Sequence, residues 1–179
     1  MSVINIKNKF YLLVAILLIS CNNYYNFKQI SIISDLQSKT EKDQDLLNLL
    51  PILDLNNTLK IARLNLSKIE EKKLDSIAIE LIYFEYKAYI NCINSVYEGI
   101  HEVTTLHKVL NENMQQLNNI QADYKNSRSK RDDLTPHLSK EAKIVKTTSI
   151  KVKKVVQKLE TQIIEFDTLN IKIESLISL

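Results

Sequence analysis

Apolar residues recur along most of this chain at alternating intervals of three and four, the spacing of one face of an α helix. The longest stripe takes in Leu74, Ala78, Leu81, Ala88, Cys92, Val96, Val103, Leu106, Leu110, Leu117, Ile120 and Tyr124, and predicts one long helix. A second begins at Leu138 and continues through Ala142, Val145, Val152, Val156, Leu159, Ile163, Phe166, Ile173 and Ile177. The polar run from Lys125 to Thr135, followed by Pro136, predicts a turn between them, so the two long helices should pack antiparallel. Upstream, Ile30, Ile33 and Leu36 precede a charged stretch from Glu41 to Asp45, and then Leu46, Leu47, Leu49 and Leu50 run up to Pro51. That pattern predicts a helix frayed or broken near its middle. Leu55, Leu59, Ala62, Leu66 and Ile69 predict another from about Asp54 to Lys72, with Pro51 at the corner. Gly99 sits on the longest stripe, where it predicts a bend or a close helix approach, at about 1 kcal/mol of helix propensity relative to Ala.

The expected fold class is therefore all-α: an elongated antiparallel helical bundle of about four helices, two of them long, over residues 30–179. A parallel coiled-coil oligomer is the competing arrangement, and the turn at Pro136 argues against it. Composition sharpens this choice. The 179 residues include one glycine and two prolines, against usual frequencies of about 7% and 5%. Hairpin turns and phosphate-cradling loops draw on glycine for positive φ, so sheets, dinucleotide-binding units and P-loops are nearly excluded.

The amino end has a different character. Residues 1–20 hold no acidic residue, and Lys7 and Lys9 precede an unbroken apolar run from Phe10 to Ile19. Ten apolar helical residues reach about 15 Å, half of a bilayer's hydrocarbon core, so the run fits a secretory signal and not a span. It ends in Leu18-Ile19-Ser20-Cys21, which resembles the lipobox of bacterial lipoproteins. The resemblance implies diacylglycerol on the Cys21 sulfur, cleavage before Cys21 and acylation of the new amino terminus, with residues 21–29 as a short tether. An ordinary cleaved signal with a chance cysteine is the alternative. Several acyl chains, at about 0.8 kcal/mol per buried CH2, anchor far more firmly than one myristoyl group. Cys92 is the only other thiol and lies on the long stripe, so no disulfide is expected and a buried, inert side chain is.

Charge divides the chain. The full sequence is +3, and without Lys7 and Lys9 it is +1. Residues 125–158 alone carry eleven cations, Lys125, Arg128, Lys130, Arg131, Lys140, Lys143, Lys146, Lys151, Lys153, Lys154 and Lys158, against Asp132, Asp133 and Glu141. At 100° per residue, Lys140, Lys143, Lys151, Lys154 and Lys158 fall within about 80° of arc, with Lys146 and Lys153 adjoining, opposite the Val145, Val152, Val156 and Leu159 stripe. Few glutamates stand four residues before these lysines, so helix pairing leaves charge available to a polyanion. Two alternatives stand beside that reading: a solvated lysine face, or neutralisation by acidic segments such as Glu70-Glu71, Asp75, Glu80 and Glu85.

Catalytic chemistry finds little footing. Glu98 and His101 make one E-x-x-H, but metal-bridged bundles need a second copy, and His107 and His137 have Thr104 and Leu134 three residues before them. No H-E-x-x-H, G-x-S-x-G, P-loop or C-x-x-C occurs. No catalytic residue, metal site or cofactor is expected, and the chain reads as a non-enzyme. The aromatic group Tyr83, Phe84, Tyr86 and Tyr89 spans more than one helix face, so part of it should be core and part free to anchor a protein partner.

The lipobox, the scarcity of glycine and tryptophan, the dominance of Lys, Asn, Ile and Leu and the helical pattern together resemble the small plasmid-encoded outer-surface lipoproteins of Borrelia-type spirochaetes. That resemblance implies display at the outer membrane and binding of host matrix, glycosaminoglycan or complement components; it carries over no ligand residue. The first functional expectation is a lipid-anchored surface protein that takes a host macromolecule on Lys125, Arg128, Lys130, Arg131, Lys140, Lys143, Lys151, Lys154 and Lys158, with nucleic acid excluded as a partner by export. The second is a structural or self-associating envelope lipoprotein without a host ligand. A membrane-lysis or exclusion lipoprotein of a mobile element is the third, and no motif supports it.

Overall fold

A computed structural model describes the backbone of residues 6–71, 76–126 and 131–178, and side chains from Phe27 onward apart from short stretches beside the second and third breaks. Four helices account for nearly all of it: α1 (Ile6–Asn48), α2 (Ile52–Glu71), α3 (Ser76–Asn126) and α4 (Arg131–Ser178). No strand occurs among the described residues, and the chain is an all-α helical bundle.

Two compact units share these helices: one holds residues up to Glu41 and from Glu112 to Lys146, the other Lys42–Asn111 and Thr147–Leu179. In the first, Ile33 from α1, Leu117, Ile120 and Tyr124 from α3, and Leu134, Leu138 and Val145 from α4 form the core. Gln37 of α1 donates to Asn118 Oδ1 at 2.7 Å and accepts from Gln121 at 3.4 Å. In the second, the core runs from Leu47 and Leu50 through Leu55, Leu59 and Ala62 of α2 to Val96, Val103 and Leu110 of α3, and closes on Val152, Leu159, Phe166 and Ile173 of α4. Here α3 and α4 are antiparallel, because Tyr89 meets Asn170 while Gly99 lies against Leu159. Burying a Leu or Phe side chain contributes roughly 1.5–3 kcal/mol, which is what holds helices whose own propensity is modest.

Three local expectations are refined. The charged stretch Glu41–Asp45 does not interrupt α1, which runs 43 residues and also takes in the stretch expected to be a tether. Glu41, Lys42 and Asp45 face water, and Asp43, 3% exposed, accepts a hydrogen bond from Ser149 Oγ at 3.1 Å. Pro136 lies inside α4, near its start; five residues into the helix, a proline forfeits one intrahelical bond, to the carbonyl four residues back, and is tolerated better than in the middle. Gly99 is a close approach: a Cβ there would stand 2.6 Å from Leu159 Cδ2. Pro51 does mark the corner, and its carbonyl accepts the Leu55 N–H at 3.0 Å.

Candidate functional site

α4 turns its lysines outward for a simple reason. Val152, Val155 and Leu159 are buried at spacings of three and four, which leaves Lys151, Lys154 and Lys158 on the far side of the same turns. Within the second unit Lys151, Lys153 and Lys154 are exposed, and Lys158 is half-buried, with its Nζ 3.7 Å from Glu98 Oε2. Lys151 and Lys158 are two turns apart, about 10 Å along the axis. Within the first unit Lys140, Lys143 and Lys146 are exposed on the same helix, and Lys125 at the end of α3 donates to Gln121 Oε1 at 3.1 Å. Arg128 and Lys130 lie outside the described residues, as do the side chains of Arg131 and Cys21.

Among the described residues, the Lys158–Glu98 contact is the ion pair on this set of α4 lysines. Glu98 is 71% exposed, and an ion pair so open to solvent contributes at most about 1 kcal/mol. Of the acidic residues weighed as neutralising partners, Glu70 accepts a hydrogen bond from Tyr86 Oη at 3.4 Å, and Glu71, Glu80 and Glu85 make no ion pair among the described residues. Asp75 lies outside them. Partial burial first, then the Glu70 carboxylate, push the Tyr86 phenol above its usual range.

Chemistry of other kinds has few materials. Cys92 is 2% exposed and donates to the Gln162 carbonyl at 3.4 Å; burial first, then the Glu165 charge, push its thiol up to about 11. A thiol held so far above neutrality is a poor nucleophile. His101 is exposed, and Glu98, its E-x-x-H partner, turns to Lys158. No group of three or more His, Cys, Asp or Glu among the described residues is placed to hold a metal ion. A groove of about 420 Å³ in the first unit is lined by Gln116, Asn119, Asp123, His137 and Glu141 over Ile120 and Leu134, and its carboxylates give it the opposite sign to the lysines.

The aromatic group divides as its offsets imply. Tyr89 is buried and stacks on Phe166 at 5.4 Å, whereas Phe84 is 77% exposed and meets Tyr83 edge-on at 5.8 Å. One polar cluster escaped the apolar pattern: Asn170 Oδ1 accepts from Asn65 at 3.1 Å and from the Tyr89 hydroxyl, while its amide donates to Glu174 at 2.8 Å. Burial, more than any neighbour, raises the Tyr89 phenol. The cluster fixes α2, α3 and α4 in one register, since a slip leaves the buried Asn65 amide and Tyr89 hydroxyl unpaired.

No helix among the described residues is long and apolar enough to cross a membrane. In comparisons with known proteins, no family model matches the chain, and neither a curated protein nor a solved structure matches it.

Proposed function

We propose that the chain is a lipid-anchored, non-enzymatic outer-surface protein that binds a polyanionic host macromolecule, a glycosaminoglycan or an acidic matrix or complement component, on the outward lysines of α4. The observation that carries this reading is the exposure of Lys151, Lys153 and Lys154 with no ion pair among the described residues. Sulfate or carboxylate groups arrayed on a flexible polymer gain from several such cations at once, and the gain is screened by salt over about 8 Å at physiological strength. Acylation of Cys21 supplies the membrane attachment that no described helix provides.

Heparin retention of the full chain at physiological salt tests the binding. Lys151→Glu, Lys154→Glu and Lys158→Glu together should abolish retention, and retention unchanged in that variant overturns the assignment. Attachment is tested separately by labelled palmitate, which should enter the wild-type product and not the Cys21→Ala variant.

A further inference from the structure

Within the second unit, one outward strip of α4 is exposed at every position and carries no charge from Thr161 onward. Ile150, Gln157, Ile164 and Ile171 recur along it every seven residues, with Lys154, Thr161 and Thr168 between. Ile164 and Ile171 are each 70% exposed, and a mostly apolar groove of about 460 Å³ lined by Thr161, Ile164, Thr168 and Leu169, with Glu165 on its edge, lies along the strip. A seven-residue recurrence with branched side chains is the pattern of a seam that meets another helix, flanked by the charges that choose the partner.

The flanking charges are sorted along the axis. From 147 to 158 α4 has four lysines and no acid; from 159 to 178 it has four acids and one lysine, Lys172. A parallel copy would set Lys153 beside Lys158 and Glu160 beside Glu165, like on like, with only Asp167 beside Lys172 as an opposite pair. An antiparallel copy centred near residue 159 sets Lys153 against Asp167 and Lys151 against Glu165, each twice by symmetry, while Lys158 and Glu160 each meet their own copy once at the axis. We propose that the chain pairs with a second copy of itself through this strip, α4 antiparallel to α4, in an isologous two-fold contact. The apolar residues supply the attraction, and the charge sorting fixes the direction.

Sedimentation of the full chain in nonionic detergent should show a concentration-dependent dimer. Ile164→Asp with Ile171→Asp should leave a monomer with unchanged far-ultraviolet circular dichroism, since both side chains are exposed. Lys151→Glu with Lys153→Glu should weaken pairing at least tenfold, and adding Glu165→Lys with Asp167→Lys should restore it, a rescue that polyanion binding does not predict. A nitroxide on Lys172→Cys should report about 40 Å between copies, where a parallel pair holds the labels within about 20 Å. A monomer at every concentration, a dimer indifferent to the aspartates, absence of rescue or the short distance overturns the proposal.

Discussion

The two faces of α4 in the second unit obey different rules. The inward face is fixed by volume: Val152 and Leu159 are wholly buried, and Leu159 lies so close to Gly99 that a single methyl there is contested space. The outward face is fixed by nothing inside the molecule. Lys151, Lys153, Lys154, Ile164 and Ile171 meet solvent, so their identities are free of packing. Inward residues therefore explain stability and outward ones are where function has to be sought.

Breaking the inward face should have the largest effect. Leu159→Ala should cost about 3 kcal/mol of unfolding free energy, the range for a fully buried leucine that leaves a cavity, read as a lower urea midpoint. Gly99→Ala should cost about 1–2 kcal/mol because the new Cβ would stand 2.6 Å from Cδ2 and 3.0 Å from Cγ of the fully buried Leu159, which must shift within the core, despite the gain in helix propensity. Combined with Leu159→Ala it should turn stabilising, because the added methyl then enters the cavity, and a double-mutant cycle reads that change of sign. Ser149→Ala should cost about 1–3 kcal/mol, since Asp43 is left buried without its donor. Reversing Lys151 and Lys154 to Glu should change stability by less than about 0.5 kcal/mol while removing heparin retention, and a large loss of stability there would erase the contrast between the faces.

Titration sharpens the same contrast. The Cys92 thiol is raised from 9.0 to about 11 in the folded chain, so the folded state holds the proton more tightly than the unfolded state. Its contribution to stability is complete below pH 9 and lost as pH rises towards 11. Unfolding midpoints followed from pH 8 to about 11 should fall more steeply in the wild type than in Cys92→Ala.

The inward face was legible in the sequence because burial needs only a period. Nearly every described position of the two long stripes is buried or half-buried, and Val155 and Leu169 join them because a core-facing arc is wider than a strict three-and-four row. The stripes also skip, with steps of seven at Val96 to Val103, Leu110 to Leu117, Val145 to Val152 and Phe166 to Ile173. Those gaps hold Gly99, Asn113, Ser149 and Asn170, all buried or half-buried. A polar residue in a core gap announces a partner, but the partner lies far off in sequence: Asp43 for Ser149, Asn65 for Asn170. That distance is why the continuity of α1 through its charged stretch could not be read from neighbours alone. The lysines of α4 were legible as a face, whereas the pairing of Lys158 with Glu98, and the lack of an ion pair at Lys151, Lys153 and Lys154 among the described residues, depend on tertiary placement.

The most direct measurement is the affinity of the full chain for heparin across about 0.05 to 0.5 M salt, wild type beside the Lys151→Glu, Lys154→Glu and Lys158→Glu variant. The wild type should bind and weaken steeply as salt rises, and the variant should bind weakly with a shallow dependence. Equal affinities and equal slopes in the two proteins would contradict the assignment of the outward lysines of α4 as the contact.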